Sequence, residues 1–376
     1  MSEKINQYIS EKIQQRKDDN NFRSLSISKN LIDFYSNDYL GFARDRQLQD
    51  SIKNEIDSKE KFSNGSTGSR LLSGNSEYIE SLEKSIADFH NAESALIFNS
   101  GFDANYGLIS SLPYRGQTIF YDELVHASIH DGIRNSKANA VSFAHNSFVD
   151  LEAKLAAHSG LKYVVVESVY SMDGDFAPLV EISKTCERYD AGLIVDEAHA
   201  TGIFGQDGRG RVCELKLQDK CLARIHTFSK ALGAHGAAIL SSPDLKNFLI
   251  NYCRPFIFST ALPYHSLIAI NCGYNYLLKS ERKRAHLNKL IALFQKSVVD
   301  SNSHKLLKSH SPIQSVFIQG NTNVKEFANR LVQQGFDVRP ILYPTVPKGK
   351  ERIRICIHSF NTEEEVAKLA GVVNVI

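Results

Sequence analysis

Between residues 95 and 240, short apolar runs alternate with longer periodic stretches, and this alternation restricts the fold more than any other feature of the chain. The runs Ala95–Phe98, Thr118–Tyr121, Tyr163–Val166, Leu193–Val195, Arg224–Thr227 and Ala237–Leu240 are too short for helices and read as strands. The stretches between most of them repeat with helical spacing. Strands and helices in turn predict an α/β domain built on a mostly parallel sheet, with helices covering both faces. Such sheets take their ligands outside the carboxyl ends of the strands, which is where chemistry is to be sought.

The flanking segments have a different texture. Ile5, Tyr8, Ile9 and Ile13 share one helical face and predict an amphipathic N-terminal arm. A short extended piece over Leu31–Tyr35 follows, and Ile79, Leu82, Ile86 and Phe89 have helical spacing. After Pro263 the pattern gives a long helical region over about 263–300, a strand at Val316–Ile318 and a helix at Val324–Gln334. Strands near Val338–Ile341 and Arg352–Ile357 and a last helix after Asn361 complete a smaller α+β domain. The expected organisation is an arm over 1–36, a large domain over 37–260 and a small domain over 261–376. A chain of 376 residues suits two such domains.

Composition narrows the class. Hydrophobic residues at 42% and charged residues at 23% are those of a soluble globular protein. A net charge of +2 is too balanced for a nucleic-acid-binding surface. The six cysteines form no CxxC pair and no Cys/His cluster with zinc spacing, so they read as reduced thiols, with no metal site. The first residues have no apolar leader, and no stretch is long enough to span a membrane. A cytoplasmic protein is expected.

The suggestive residues fall at strand ends. Asp196 ends GLIVD, and a carboxylate there is costly unless paired. It suits a positively charged ring nitrogen, and equally a helix N-cap. Lys230, in HTFSKALGAHG, sits among apolar and small residues that lower an amine's basicity, as a Schiff-base lysine needs. Thr227 and Ser229 offer hydroxyls to a phosphate. Gly101 and Phe102 open a helix after ALIFNS, where free N–H groups bind phosphate, although a tight turn gives the same pattern. Glu167 ends YVVVE, His199 follows Asp196 in VDEAHATG, and His126 lies in DELVHASIHDG. The Gly/Ser-rich loop Asn64–Gly74 has no strand before it, which argues against a dinucleotide fingerprint and for a substrate loop.

In order along the chain, SNDYLGF, GSTGSRLLSG, NSGFDANYG, HASIHDG, ESVYSMDGD, VDEAHATGIFGQDGRG, HTFSKALG, FSTALP and YPTVPKGKERIRI resemble the α-oxoamine synthase family. These are fold-type-I pyridoxal-phosphate (PLP) enzymes, and the resemblance runs from Ser36 to Arg354. It implies the aspartate aminotransferase-like fold, PLP as cofactor, and condensation of an amino acid with an acyl thioester with loss of carbon dioxide. Lys230 would carry PLP and move the α-proton. Asp196 would pair with the pyridine nitrogen, His126 would stack on the ring, and His199 would reach its phenolic oxygen. Gly101, Phe102 and Thr227 would hold the phosphate, with Glu167 and Ser171 supporting the ring. Asn37 and Arg354 would hold the amino-acid carboxylate. Thr260 would reach the second subunit's phosphate across a homodimer.

Within the family, GSTGSRLLSG, the short N-terminus and SMDGDFAPL lean toward L-alanine and a pimeloyl thioester, carried by coenzyme A or a carrier protein. Arg23, in NNFR, would meet the distal carboxylate of that chain. One segment departs from this pattern: Leu342 and Tyr343 stand where many such members have an arginine and a proline, and YPTVPKG is closer to members that use glycine and acetyl-CoA. Serine with palmitoyl-CoA is a third option. A non-catalytic subunit of the same fold is the alternative outside enzymes, and the presence of both Lys230 and Asp196 weighs against it.

Overall fold

The computed structural model describes residues 2–25, 27, 30–60, 62–301 and 304–375. Contacts divide the chain into two compact units. One comprises Met1–Ser36, Met172–Gly174 and His286–Ile376; the other comprises Asn37–Ser171 and Asp175–Ala285. In chain order the strands are β1 (Ile32–Asp33), β2 (Ser94–Phe98), β3 (Thr118–Asp122), β4 (Asn139–Phe143), β5 (Lys162–Glu167) and β6 (Ala191–Asp196). They continue with β7 (Ala223–Thr227), β8 (Ala237–Ser241), β9 (Lys305–Leu306), β10 (Ile313–Phe317), β11 (Phe336–Asp337), β12 (Arg339–Ile341) and β13 (Arg352–Cys356).

The larger unit is built on a seven-stranded sheet in the order β2-β8-β7-β6-β5-β3-β4. Strand β8 runs antiparallel to both of its neighbours, and the pairs among β3 to β7 are parallel. Side chains alternate between faces, so each central strand feeds two cores. Val165, Ile194 and Ile225 pack with Leu108 and Ile129 on one face. Val164, Val166, Leu193 and Val195 pack with Leu151 and Ile182 on the other. Near-continuous apolar strands are what burial on both faces requires.

The six expected strands are present. Strand β4 escaped the apolar-run criterion because Asn139, Ala140 and Ser142 are exposed at the sheet edge. The helical region expected over about 263–300 consists of two helices, Tyr264–Leu277 and Glu281–Ser297. The first packs on helices Arg46–Asp57 and Glu77–Phe89 and so stays with the large sheet. The division therefore falls at Ala285/His286, beyond the boundary expected near residue 260.

In the smaller unit, β12-β13-β10-β9 form an antiparallel sheet. The N-terminal segment joins this unit through parallel pairing of β1 with β11. Its helix, Glu3–Asp18, forms as the periodicity predicts. Ile5, Tyr8, Ile9 and Ile13 are all exposed on it.

In the larger unit, Asn64–Gly74 is fastened to the residues around Thr260. Ser66 Oγ donates to the Leu262 carbonyl at 2.6 Å, and the Ala261 N–H donates to the Gly68 carbonyl at 2.9 Å. A Cβ on Gly74 would lie 2.6 Å from Ala261 Cβ, so this approach requires glycine. The loop is anchored below by Arg70, whose Nη1 donates to Glu83 Oε1 at 2.7 Å. Glu83, 1% exposed, also accepts from the Ile97 N–H at 2.9 Å and pairs with Lys246 at 2.9 Å. Removing the carboxylate leaves a buried guanidinium without its counter-charge. Glu83→Ala is therefore expected to lower unfolding free energy by about 3–5 kcal/mol, read from urea midpoints; a loss under about 1 kcal/mol would count against this anchor.

Candidate active site

The carboxyl ends of β3, β5, β6 and β7 carry Asp122, Glu167, Asp196 and Thr227. Asp196 is 3% exposed. Its Oδ2 accepts from Asn105 Nδ2 at 2.6 Å and its Oδ1 from the Ala198 N–H at 2.8 Å. Two donors offset the desolvation of a buried carboxylate. Asn105 was not foreseen from the sequence. It lies one turn beyond Gly101 on helix Gly101–Ser111, and that spacing was the available signal.

That helix starts with Ser100, whose Oγ accepts from the Asp103 N–H at 3.0 Å. A Cβ on Gly101 would lie 3.3 Å from Thr227 Cγ2, so the helix N-terminus abuts the end of β7. Thr227 Oγ1 and Ser229 Oγ are 3.1 Å apart. The Phe102 side chain is exposed, leaving its backbone N–H as the group in the first turn. Helix N–H groups and clustered hydroxyls make a phosphate site.

Lys230 Nζ lies 3.0 Å from His199 Nε2, His199 Nδ1 lies 2.8 Å from the Tyr39 hydroxyl, and that hydroxyl donates to Asn37 Oδ1 at 3.1 Å. A consistent direction follows: Lys230 donates to Nε2, Nδ1–H donates to Tyr39, and Tyr39 donates to Asn37. Tyr39 was not singled out in the sequence, although it stands two residues after Asn37 in SNDYLGF.

His126 caps helix Ala127–Asn135. The Ser128 N–H donates to its Nδ1 at 3.2 Å, and Ser128 Oγ lies 2.8 Å from the same atom. With Nδ1 accepting, the ring carries its proton on Nε2. Burial and the Lys230 charge push its pKa down, and Asp196 pulls the other way. Glu167 is buried, and burial with the nearby Asp196 charge raises its pKa well above the usual carboxyl range. Ser171 ends the segment that follows β5 and is half-buried. Thr260 has an exposed side chain, and its carbonyl accepts from Asn99 Nδ2 at 2.8 Å.

The larger unit thus contains Asn37, Gly101, Phe102, His126, Glu167, Ser171, Asp196, His199, Thr227, Lys230 and Thr260. Arg23 and Arg354 belong to the smaller unit. Arg23 is exposed and its Nη2 donates to Thr345 Oγ1 at 3.0 Å. Arg354 is buried in β13, where Nη1 meets Cys356 Sγ at 3.0 Å. None of the six cysteines is in a disulfide.

The loops after β3, β4 and β5 are tied by His145, another residue not foreseen. Its Nδ1 lies 2.9 Å from Asp122 Oδ1 and its Nε2 lies 2.8 Å from Asp175 Oδ2. Burial opposes the imidazolium, but the hydrogen bonds and charges of the two carboxylates outweigh it and lift the pKa to about 9. Asp122 is lowered in turn: burial would raise it, but hydrogen bonds and charge from His145 prevail. A histidine with a raised folded pKa stabilises fully below its unfolded value near 6.5, and this stabilisation fades as pH rises through the folded pKa. Wild type is therefore expected to lose about 2 kcal/mol relative to His145→Gln between pH 6.5 and 9.5, measured by urea unfolding. Parallel pH profiles would show that His145 is uncharged.

Comparison with known proteins places this geometry. The chain matches the family described as aminotransferase class I and II over residues 29–373. It is 42% identical to an 8-amino-7-oxononanoate synthase of Emericella nidulans, over 95% of this chain and 92% of that one. It is 39% identical to the enzyme of the same name from Lysinibacillus sphaericus, over 90% and 86%. A serine palmitoyltransferase from S. paucimobilis, solved with a bound PLP–myriocin aldimine, superposes with a TM-score of 0.87 at 27% identity, over 98% of this chain and 96% of that one. The chain belongs to the aminotransferase class I and II family and has the fold of its PLP-dependent transferases.

Proposed function

We propose that the protein joins L-alanine to a pimeloyl thioester with loss of carbon dioxide, giving 8-amino-7-oxononanoate for biotin synthesis. The observation that carries this reading is the hydrogen-bonded chain Lys230–His199–Tyr39–Asn37 in the same unit as the doubly held Asp196. The relatives named 8-amino-7-oxononanoate synthase supply the substrates.

The donor set fits PLP. Asp196 offers a buried anion to a pyridinium, the first turn at Gly101 and Phe102 with Thr227 offers phosphate donors, and Lys230 offers an amine to an aldehyde. Gly101 and Asn105 are separated by about 6 Å of helix rise, so one helix serves both the phosphate site and Asp196. PLP, when bound, supplies an electron sink for the charge left on the amino acid's α-carbon. Asp196 keeps the pyridine nitrogen protonated. His126 would stack on the ring, with Ser171 and Glu167 supporting it. His199 orients the Lys230 amine through Nε2 and reaches the ring's phenolic oxygen. Lys230 Nζ takes the α-proton of the amino acid and returns a proton to the product carbon after carbon dioxide leaves. Asn37, at the end of the Lys230–His199–Tyr39 chain, holds the amino-acid carboxylate.

A homodimer is part of this proposal. Thr260 would reach the phosphate of the second copy, and its exposed side chain on a segment stitched to the Asn64–Gly74 loop supports that role. Leu71, Leu72 and Phe258, exposed in the same two segments, give the apolar area such a contact needs. Among the described residues, no helix is long and apolar enough to cross a membrane.

Lys230→Ala is expected to abolish turnover, and borohydride reduction of wild type with PLP should leave the pyridoxyl group on the Lys230 peptide. A label on any other lysine overturns the assignment. Arg23 tests the acyl group. Its planar fork suits a carboxylate, so Arg23→Ala should weaken use of pimeloyl-CoA about tenfold to a hundredfold. An uncharged acyl-CoA of equal length should be hardly affected. Equal losses for both thioesters, or preference for glycine with acetyl-CoA, would replace the pimeloyl reading.

A further inference from the structure

Two carboxyl groups stand side by side at the carboxyl end of the large sheet. Glu167 closes β5 and Asp196 closes β6, and the two residues are register partners on adjacent parallel strands. Their side chains therefore leave the same face of the sheet, from strands roughly 4.8 Å apart. Glu167 is 2% exposed and Asp196 3%. Two like charges so close and so shielded from water cannot both persist cheaply, and one proton between them relieves the repulsion.

The donors decide which group holds that proton. Asp196 receives one on each oxygen, from Asn105 Nδ2 at 2.6 Å and from the Ala198 N–H at 2.8 Å. Glu167 has no such pair of donors, and its Oε1 has no hydrogen-bond partner among the described residues. Donors favour the ionised form of the carboxyl group they touch, and a buried oxygen without one disfavours it.

We infer that Glu167 is held as the neutral carboxylic acid, a positioning residue beside Asp196 at the end of the sheet. Burial raises the Glu167 pKa well above the usual carboxyl range and the Asp196 charge adds to this; Lys230 and the His126 N–H pull the other way, and Asp122 adds a smaller push upward. These groups face Glu167 from β6, from the turn after β7, and from β3 and the loop after it. A second anion here would draw a proton onto Lys230 Nζ, which the proposed reaction needs as a free base. That consequence rests on the acyl-transfer reading; the protonation state does not.

The test compares wild type with Glu167→Gln, which keeps the shape of a neutral acid, both at the same PLP content. Above the ordinary glutamate range the folded wild type keeps a proton that the unfolded chain loses, so its stability falls as pH rises. The variant has no such proton. The ratio of the two unfolding constants is expected to change about tenfold per pH unit between pH 5 and 7, to the disadvantage of wild type. A constant ratio overturns the inference. Infrared spectra of wild type decide the matter even if the variant fails to fold. At pH 8, where Glu197, raised to about 7, is mostly ionised, the carbonyl band of a buried carboxylic acid should remain. Its absence sinks the proposal. Neither measurement uses the substrates, so failure here is distinct from failure of the Lys230 labelling.

Discussion

Asp196 ends β6 with its carboxylate withdrawn from water, and a lone carboxylate so placed costs several kcal/mol. Much of the surrounding architecture follows from meeting that cost. Strand β6 must run parallel between β5 and β7 to be buried on both faces. Helix Gly101–Ser111 must lie close enough for Asn105 to reach Oδ2, and this brings its N-terminus against Thr227. The chain after Asp196 must turn at once so that the Ala198 N–H can return to Oδ1. One carboxylate at a strand end thus couples the helix N-terminus at Gly101 and the end of β7 to the end of β6.

Two further buried carboxyl groups hold the loops around this centre. Glu197 points to the opposite side and accepts from the Arg211 and Val212 N–H groups, both at 3.2 Å. A Cβ on Gly210 would fall 1.9 Å from its Oε2, and Gly210 has φ +102°, so only glycine lets the chain pass. This clamp closes the loop that carries His199. Asp122 does the same through His145 for the loop that carries His126. His199 and His126 sit on irregular segments, yet both segments are fastened by a buried carboxylate with several donors, which supplies the precision that loops alone lack.

The chain's alternation of apolar runs made the central strands legible, because burial on both faces demands continuous apolar residues there. The same criterion hid β4, whose edge position leaves Ser142 and Asn139 in solvent. Periodicity located a helical region after Pro263 but not its break at residues 278–280, since both helices bury apolar faces at the same spacing. Strand-end positions drew attention to Lys230, Asp196, His126 and His199, and the resemblance supplied their expected roles. Asn105, Tyr39 and His145 were not legible, because their importance lies in which distant atom each one touches. Asn105 reads as one polar residue in a helix, and only the fold brings it to Asp196.

The polarity of the Lys230 chain carries the argument one step further. If Tyr39 gives its proton to Asn37 Oδ1, then its oxygen accepts from His199 Nδ1, and Nε2 is left as an acceptor facing Lys230. An acceptor at that point stabilises an N–H of the amine and leaves the nitrogen lone pair free to turn toward a substrate. Were the chain reversed, Nε2–H would bind that lone pair and block it. Asn37, at the far end, therefore helps orient an amine it does not touch, through three hydrogen bonds that run by way of Tyr39 and His199.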